Sequence, residues 1–169
     1  MARAYAQDTT ESATTVEQML VVGAGDRRVA IPLSAVTRLE RIRAATIEQV
    51  GSREVLQYRG ALLPLVRLDQ LLGAAGGPPA DELDIVVYTR AGRSIAMAVT
   101  EIFDIVEDDA RRRSDIDGHG LTGSTVLKDR VTELLDVRSA VQAADPGFYD
   151  DLDPFDATAE NDLSLAGAR

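Results

Sequence analysis

The sequence predicts an all-β protein made of two similar halves, and three observations lead there. Short β-prone apolar runs recur between Gly turns, a Gly, Ala and Pro segment interrupts the middle of the chain, and the pattern before that segment returns after it. Each half has about five short strands, enough to curl into a small barrel but marginal for independent stability, so packing the halves together would bury a shared core.

Taken in order, the first 16 residues are polar and aperiodic and read as a flexible arm. Two β-prone runs, 18–24 and 27–32, flank Gly25-Asp26, which is a hairpin signal. Residues 33–36 suit one helical turn, with Ser34 available to cap it. Strands are expected over 38–43, 47–50 and 55–58, with a turn at Gly51-Ser52. Arg59-Gly60 interrupts the last, and 61–68 runs apolar into a short helical turn ending at Gly73. The segment GAAGGPPA then divides a first subdomain of about 17–72 from a second of about 83–144, the linker being 73–82. In the second, LDIVVYT, the turn Arg90-Ala91-Gly92 and RSIAMAV repeat the opening hairpin, and VTELLDVRSAV repeats LLPLVRLDQLL. Ile102 and Ile105 thereby correspond to Val36 and Leu39, and Leu134, Leu135 and Val137 to Leu65, Val66 and Leu68.

Charge and composition set limits on chemistry. Of the 169 residues, 28 are Asp or Glu and 18 Lys or Arg, for a net charge of -10. Six of those ten net charges belong to 145–169, whose few apolar residues return less than its ordering would cost. That stretch is expected to be a mobile acidic tail, pinned at most where Phe148 and Tyr149 touch the body. The absence of Cys removes thiol nucleophiles, disulfides and Cys-ligated zinc, and a single His removes imidazole clusters. An acidic chain is a poor general partner for nucleic acid. No apolar run approaches the roughly 18 to 20 residues needed to cross a bilayer, and the N-terminus does not read as a secretory signal, so a cytoplasmic protein without membrane insertion is expected.

RRVAIPLSAVTRLERI, QYRGALLPLVRLDQLLG, GRSIAMAVTEIFDIVED and GLTGSTVLKDRVTELLDV resemble the four blocks of the CheW-like domain of bacterial chemotaxis, from about Gln18 to Val141. The most specific parts are RG-x-x-x-P (Arg59, Gly60, Pro64) and GLTGS, and AIPLSAV and LLPLVRLDQLLG look closer to the regulatory domain of the histidine kinase CheA than to a typical free coupling protein. The resemblance implies two SH3-like five-stranded barrels with short helical turns. It implies a non-catalytic scaffold without cofactors, recruited to membrane-associated arrays, with three partners: a CheA-type kinase, a chemoreceptor helical tip and other CheW-like domains. It carries partner binding onto Val36, Arg38, Arg59, Gly60, Leu121 and Gly123. Many members have an acidic residue where this chain has Arg38, which implies a dedicated, acidic partner. The chain lacks an ATP-lid block, a kinase Asn box and a helical phosphoacceptor His, so it is not itself a kinase.

Several residues admit two readings. His119, in DGHGLTG, reads as a loop His rather than a base. Arg111-Arg112-Arg113 is a phosphate-binding cluster or a solvated loop neutralised by neighbouring Asp. GAGDRR faintly suggests a nucleotide loop, but it lacks the GxGxxG spacing and a following helix. Val36, Leu39, Ile42, Ile102 and Ile105 read as core before interface. Arg59 is an interface residue or one arm of an internal salt bridge. The alternative to a scaffold is a small-molecule or nucleotide enzyme using the carboxylates Asp104, Glu107, Asp108 and Asp109, with no nucleophile or phosphate cradle placed opposite them.

Overall fold

The computed structural model describes residues 16–76, 79–109, 113–118 and 120–150. The N-terminal arm to residue 15, Arg111, Arg112, His119 and the acidic stretch 151–169 lie outside them, and so do the expectations that concern them. The twelve strands are β1 (Val16–Ala24), β2 (Arg27–Pro32), β3 (Arg38–Arg43), β4 (Ile47–Val50), β5 (Arg53–Tyr58), β6 (Ala61–Arg67), β7 (Glu82–Arg90), β8 (Arg93–Val99), β9 (Glu101–Asp109), β10 (Ser114–Gly118), β11 (Leu121–Leu127) and β12 (Arg130–Leu135). Two short helices follow corresponding strands, α1 (Leu68–Leu71) after β6 and α2 (Val137–Ala144) after β12. The turn before β3 is a single 3-10 turn, Leu33–Ala35, preceded by Pro32 and without a side-chain cap from Ser34.

The strands form two six-stranded sheets, β10-β11-β12-β2-β1-β9 and β3-β7-β8-β6-β5-β4. The all-β class and the paired sheets agree with the sequence expectation, but each sheet carries six strands rather than five and the linker does not divide them. The hairpin β1–β2 of the first half is inserted between β12 and β9, and the hairpin β7–β8 of the second half between β3 and β6. Each insertion makes one parallel junction, β2 with β12 or β8 with β6, and one antiparallel junction, β1 with β9 or β7 with β3. The halves have exchanged hairpins, so the internal repeat is realised as an approximate two-fold relation between sheets of mixed parentage.

Side-chain alternation along the inserted hairpins explains why they are apolar throughout. Met19 and Val21 of β1 enter a small core within the first sheet, with Ala30, Leu127 and Leu134. The intervening Leu20, Val22 and Ala24 enter a central core with Val29, Ile31, Val86, Ile95, Met97 and Val99. β8 does the same for the second sheet, giving Ala96 and Ala98 to a core with Leu56, Leu63 and Leu65. A strand buried on both faces reads as a continuous apolar run because neither face meets water. Phe148 completes the central core at 0% exposure, beside Tyr88 (ring centroids 6.0 Å apart) and Tyr149 (5.1 Å, edge on). Arg93, paired with Asp145 at 3.2 Å, also lies over the Phe148 ring. The packed body therefore continues through Asp145 to Tyr149.

Candidate functional site

In each sheet polar side chains link one edge strand to the strand next to the opposite edge. In the second sheet the bridge joins β3 to β5. The 3-10 turn holds Val36, whose N–H donates to the Leu33 carbonyl at 3.0 Å and whose side chain is half-buried against the central core. Thr37 N–H then donates to the Val87 carbonyl at 2.8 Å, setting the register that places Arg38 opposite Val87. Arg38 is exposed and makes no ion pair among the described residues. Two residues on, and on the same face by strand alternation, half-buried Glu40 accepts a hydrogen bond from the Tyr58 hydroxyl and pairs with Arg59 at 3.6 Å.

Arg59 and Gly60 occupy the β5–β6 turn with φ of 51° and 79°. Positive φ at both central residues matches the twist of the flanking strands and thrusts the Arg59 side chain outward from the hairpin tip. Its guanidinium lies 5.2 Å from the Tyr58 ring centroid, and its side chain keeps 60% exposure. Arg59 is thus ion-paired to Glu40, as the salt-bridge reading expects, while most of its side chain faces solvent. Through Glu40 the structure ties Arg59, in its turn with Gly60, to the strand that carries Arg38 and that follows Val36, and it adds Glu40 and Tyr58, which the sequence did not single out. Leu121 and Gly123 lie elsewhere. Leu121 is buried in the central core, and Gly123 is buried in β11, where it pairs with Leu134 and Asp115.

The first sheet closes with a different polar set. Asp108 of β9 has 0% exposure, accepts from the Thr125 hydroxyl of β11 at 2.7 Å and pairs with Arg113, which reaches Glu17 at 2.9 Å. Burial alone would lower the Arg113 pKa, but hydrogen bonds to Asp108 and Glu17 outweigh it and the net shift is upward. The solvated-loop reading of Arg113 is corrected accordingly: it is a half-buried clamp. Lys128, with φ 51° in the β11–β12 turn, bonds Asp104 and holds its carboxyl below the usual range, with the Ile105 N–H assisting. Lys128 occupies the turn position that Arg59 occupies in the other sheet. The repeat places LLPLV against VTELL, and that alignment is the signal through which the sequence could have found Lys128.

The carboxylates of the enzyme alternative do not converge. Asp108 points into the seam, whereas Asp104 and Glu107 are exposed. Among the described residues no three His, Asp or Glu side chains are grouped so as to hold a metal ion. The nucleotide-loop reading of GAGDRR gives way to a steric one. A Cβ on Gly25 would stand 2.3 Å from the Ala75 carbonyl, because the linker lies against this turn and Asp26 N–H donates to Ala75 at 3.1 Å. Of the expected core aliphatics, Val36, Ile42 and Ile102 are half-buried against the cores, while Leu39 and Ile105 are 41% and 48% exposed. No described helix is long and apolar enough to cross a membrane.

Comparison with known proteins follows the fold. Two relatives, the chemotaxis proteins CheA of Listeria innocua and of Listeria monocytogenes, are each 25% identical over 88 residues, which is 52% of this chain but 14% of either relative. The solved structure of the scaffolding protein TtCheW from Thermoanaerobacter tengcongensis superposes with a TM-score of 0.62 at 13% identity, covering 71% of this chain and 88% of that one. The family model of the CheW-like domain matches residues 18–145, from the third residue of β1 to the residue that caps the C-terminus of α2, and the chain belongs to that family.

Proposed function

We propose that the chain is a non-catalytic scaffold that couples chemoreceptors to a CheA-type histidine kinase. The observation that carries the reading is the end of the second sheet, where exposed Arg59 pairs with half-buried Glu40, and exposed Arg38, without an ion pair among the described residues, stands two residues before Glu40 and two after half-buried Val36. Such a surface suits a helix presenting an apolar stripe flanked by acids, in which burial supplies affinity and the Arg rim supplies orientation and on-rate. Family membership and the names of the relatives support it: two are named chemotaxis protein CheA and one is a scaffolding protein. Action in the cytoplasm at receptor arrays and contact with other CheW-like domains belong to the same proposal, since individually modest interfaces gain strength when many are engaged together.

Co-sedimentation of the purified chain with receptor-bearing membranes and a CheA-type kinase tests it. Arg59→Glu is expected to weaken binding by roughly tenfold, equivalent to about 1.4 kcal/mol. It should change stability by no more than about 1 kcal/mol, because the Arg59–Glu40 pair is largely solvated. Intact binding with a large loss of stability would make Arg59 a structural residue and remove it from the interface.

A further inference from the structure

The described chain reaches Asp150 at a point that the fold holds in place. Phe148 is fully buried, Arg93 pairs with Asp145 at 3.2 Å, and Asp150 N–H donates to the Gly147 carbonyl at 3.1 Å. Beside it, the Tyr149 ring centroid lies 4.0 Å from the Arg138 guanidinium and 5.8 Å from that of Arg90. Arg90 follows Thr89, whose N–H donates to the Thr37 hydroxyl at 3.0 Å, and Arg38 follows Thr37. Three bases thus lead from Tyr149 to the strand that Glu40 ties to Arg59. The acids beside this path are already engaged: Asp136 accepts from Ser139 as the cap of α2, Asp145 holds Arg93, and Glu40 holds Arg59. Arg38 and Arg138 are exposed and make no ion pair among the described residues.

The residues that come next in the sequence carry the opposite charge. From 151 to 169 stand Asp151, Asp153, Asp156, Glu160 and Asp162 against a single base, Arg169, and Leu152 and Phe155 fall among the first three acids. We propose that this segment docks on its own body, along Arg138, Arg90 and Arg38 towards Arg59. Neighbouring strands stand about 5 Å apart, and an extended chain advances about 3.3 Å per residue, so the first few residues past Asp150 suffice to reach Arg38. Tethering at Asp150 makes the contact intramolecular, with an effective concentration on the order of millimolar, so charge pairs too weak to hold a separate peptide are enough. Leu39, 41% exposed, and half-buried Val36 offer apolar surface next to Arg38 for Leu152 or Phe155.

The docked segment has the chemistry argued above for a receptor helix, apolar residues flanked by acids, so an incoming helix has to displace it. That consequence rests on the coupling reading, whereas the docking needs neither receptor nor kinase.

Paramagnetic labelling of the full chain tests it. The sequence has no Cys, so Ala157→Cys places one nitroxide in the segment and nowhere else. The amide signals of residues 37–40 and 89–90 are expected to broaden. Raising the salt should reduce that broadening to less than about half, because exposed charge pairs are screened. Arg38→Glu should reduce it as well, with circular dichroism confirming that the variant is folded. Asp151→Asn together with Asp153→Asn and Asp156→Asn should do the same without touching the body. A mixture of labelled chain with unlabelled, isotope-enriched chain should show no broadening. Absence of broadening at these residues, broadening that survives neutralisation of the three acids, or broadening in the mixture, which would mean contact between copies, would each overturn the proposal. Co-sedimentation with receptor-bearing membranes is a separate measurement, so a failure of docking is distinguishable from a failure of coupling.

Discussion

Asp108 shows how much one side chain can carry at a seam. It is fully buried, and its charge is tolerable only because Arg113 and Thr125 converge on it. Asp108→Ala leaves Arg113 without its main partner, and by the cost of breaking a buried pair should destabilise the fold by about 3 kcal/mol or more. Thr125→Val removes one neutral donor and should cost closer to about 1 kcal/mol. Urea unfolding of both variants checks the order, and equal small losses would mean that the seam is not held there. In the sequence Asp108 is one acid in VEDDARRRSD, and its neighbours make it look like part of a solvated charge run. Strand alternation from Ile102 could have turned it inward, but Thr125 is 17 residues away and nothing local announces it. Arg59 and Gly60 were easier to find because their turn geometry is written in adjacent residues, whereas Glu40 and Tyr58 come together only when β3 and β5 meet. Leu121 and Gly123 belong to a recognisable block, but the block's apolar letters face the core.

Turns and the C-terminal strap are the elements whose behaviour can be separated. Gly51 has φ +66° and open space around its missing Cβ, so Gly51→Ala should cost only the conformational term of about 1 to 2 kcal/mol. Gly25 has nearly the same φ, +65°, but meets the Ala75 carbonyl, and Gly25→Ala should cost about 1 to 3 kcal/mol beyond that. Thermal unfolding of the two variants checks the difference, and equal midpoints would show that the linker yields freely. The hairpin at Gly25-Asp26 was legible from its turn residues, but the linker packed against it was not, since that contact spans 49 residues. In the strap, Tyr149 lies under Arg138 at 4.0 Å. Burial and a hydrogen bond with Tyr88 push the Tyr149 hydroxyl from 10.0 up to about 12. Its neutral form is the one the fold favours, so this contribution is complete below about pH 10 and is lost as pH rises from there towards about 12. Tyr149→Phe should flatten that part of the alkaline stability profile, and an unchanged profile would assign the loss to other groups.

On the scale of the whole molecule, mutual insertion of hairpins makes each half the completion of the other. A fragment ending at residue 76 has β1 and β2 but neither of the strands, β9 and β12, that flank them, and a fragment from 79 to 150 lacks the flanks of β7 and β8. Each alone is expected to give a narrow amide spectrum and no cooperative melt, and mixing them should restore dispersion. A cooperatively folded single fragment would show that the halves are independent barrels after all. The two-part, all-β plan was legible because Gly turns and a repeat punctuate the chain. The exchange was not, because β1, β2, β7 and β8 bury both faces and their letters do not say which neighbour lies on which side. That doubly buried condition has a consequence for how the sequence can drift. In a strand with one wet face, a one-residue insertion exposes apolar side chains and is rejected at once. In β1 the same insertion would exchange the Met19 and Val21 set with the Leu20 and Val22 set, apolar for apolar. What resists the slip is polar and steric rather than hydrophobic: it would move Glu17 away from Arg113, and it would replace Gly23 with a residue whose Cβ would crowd the Phe103 ring at 3.3 Å. The register of this strand is guarded by its charged and smallest residues rather than by its hydrophobic ones.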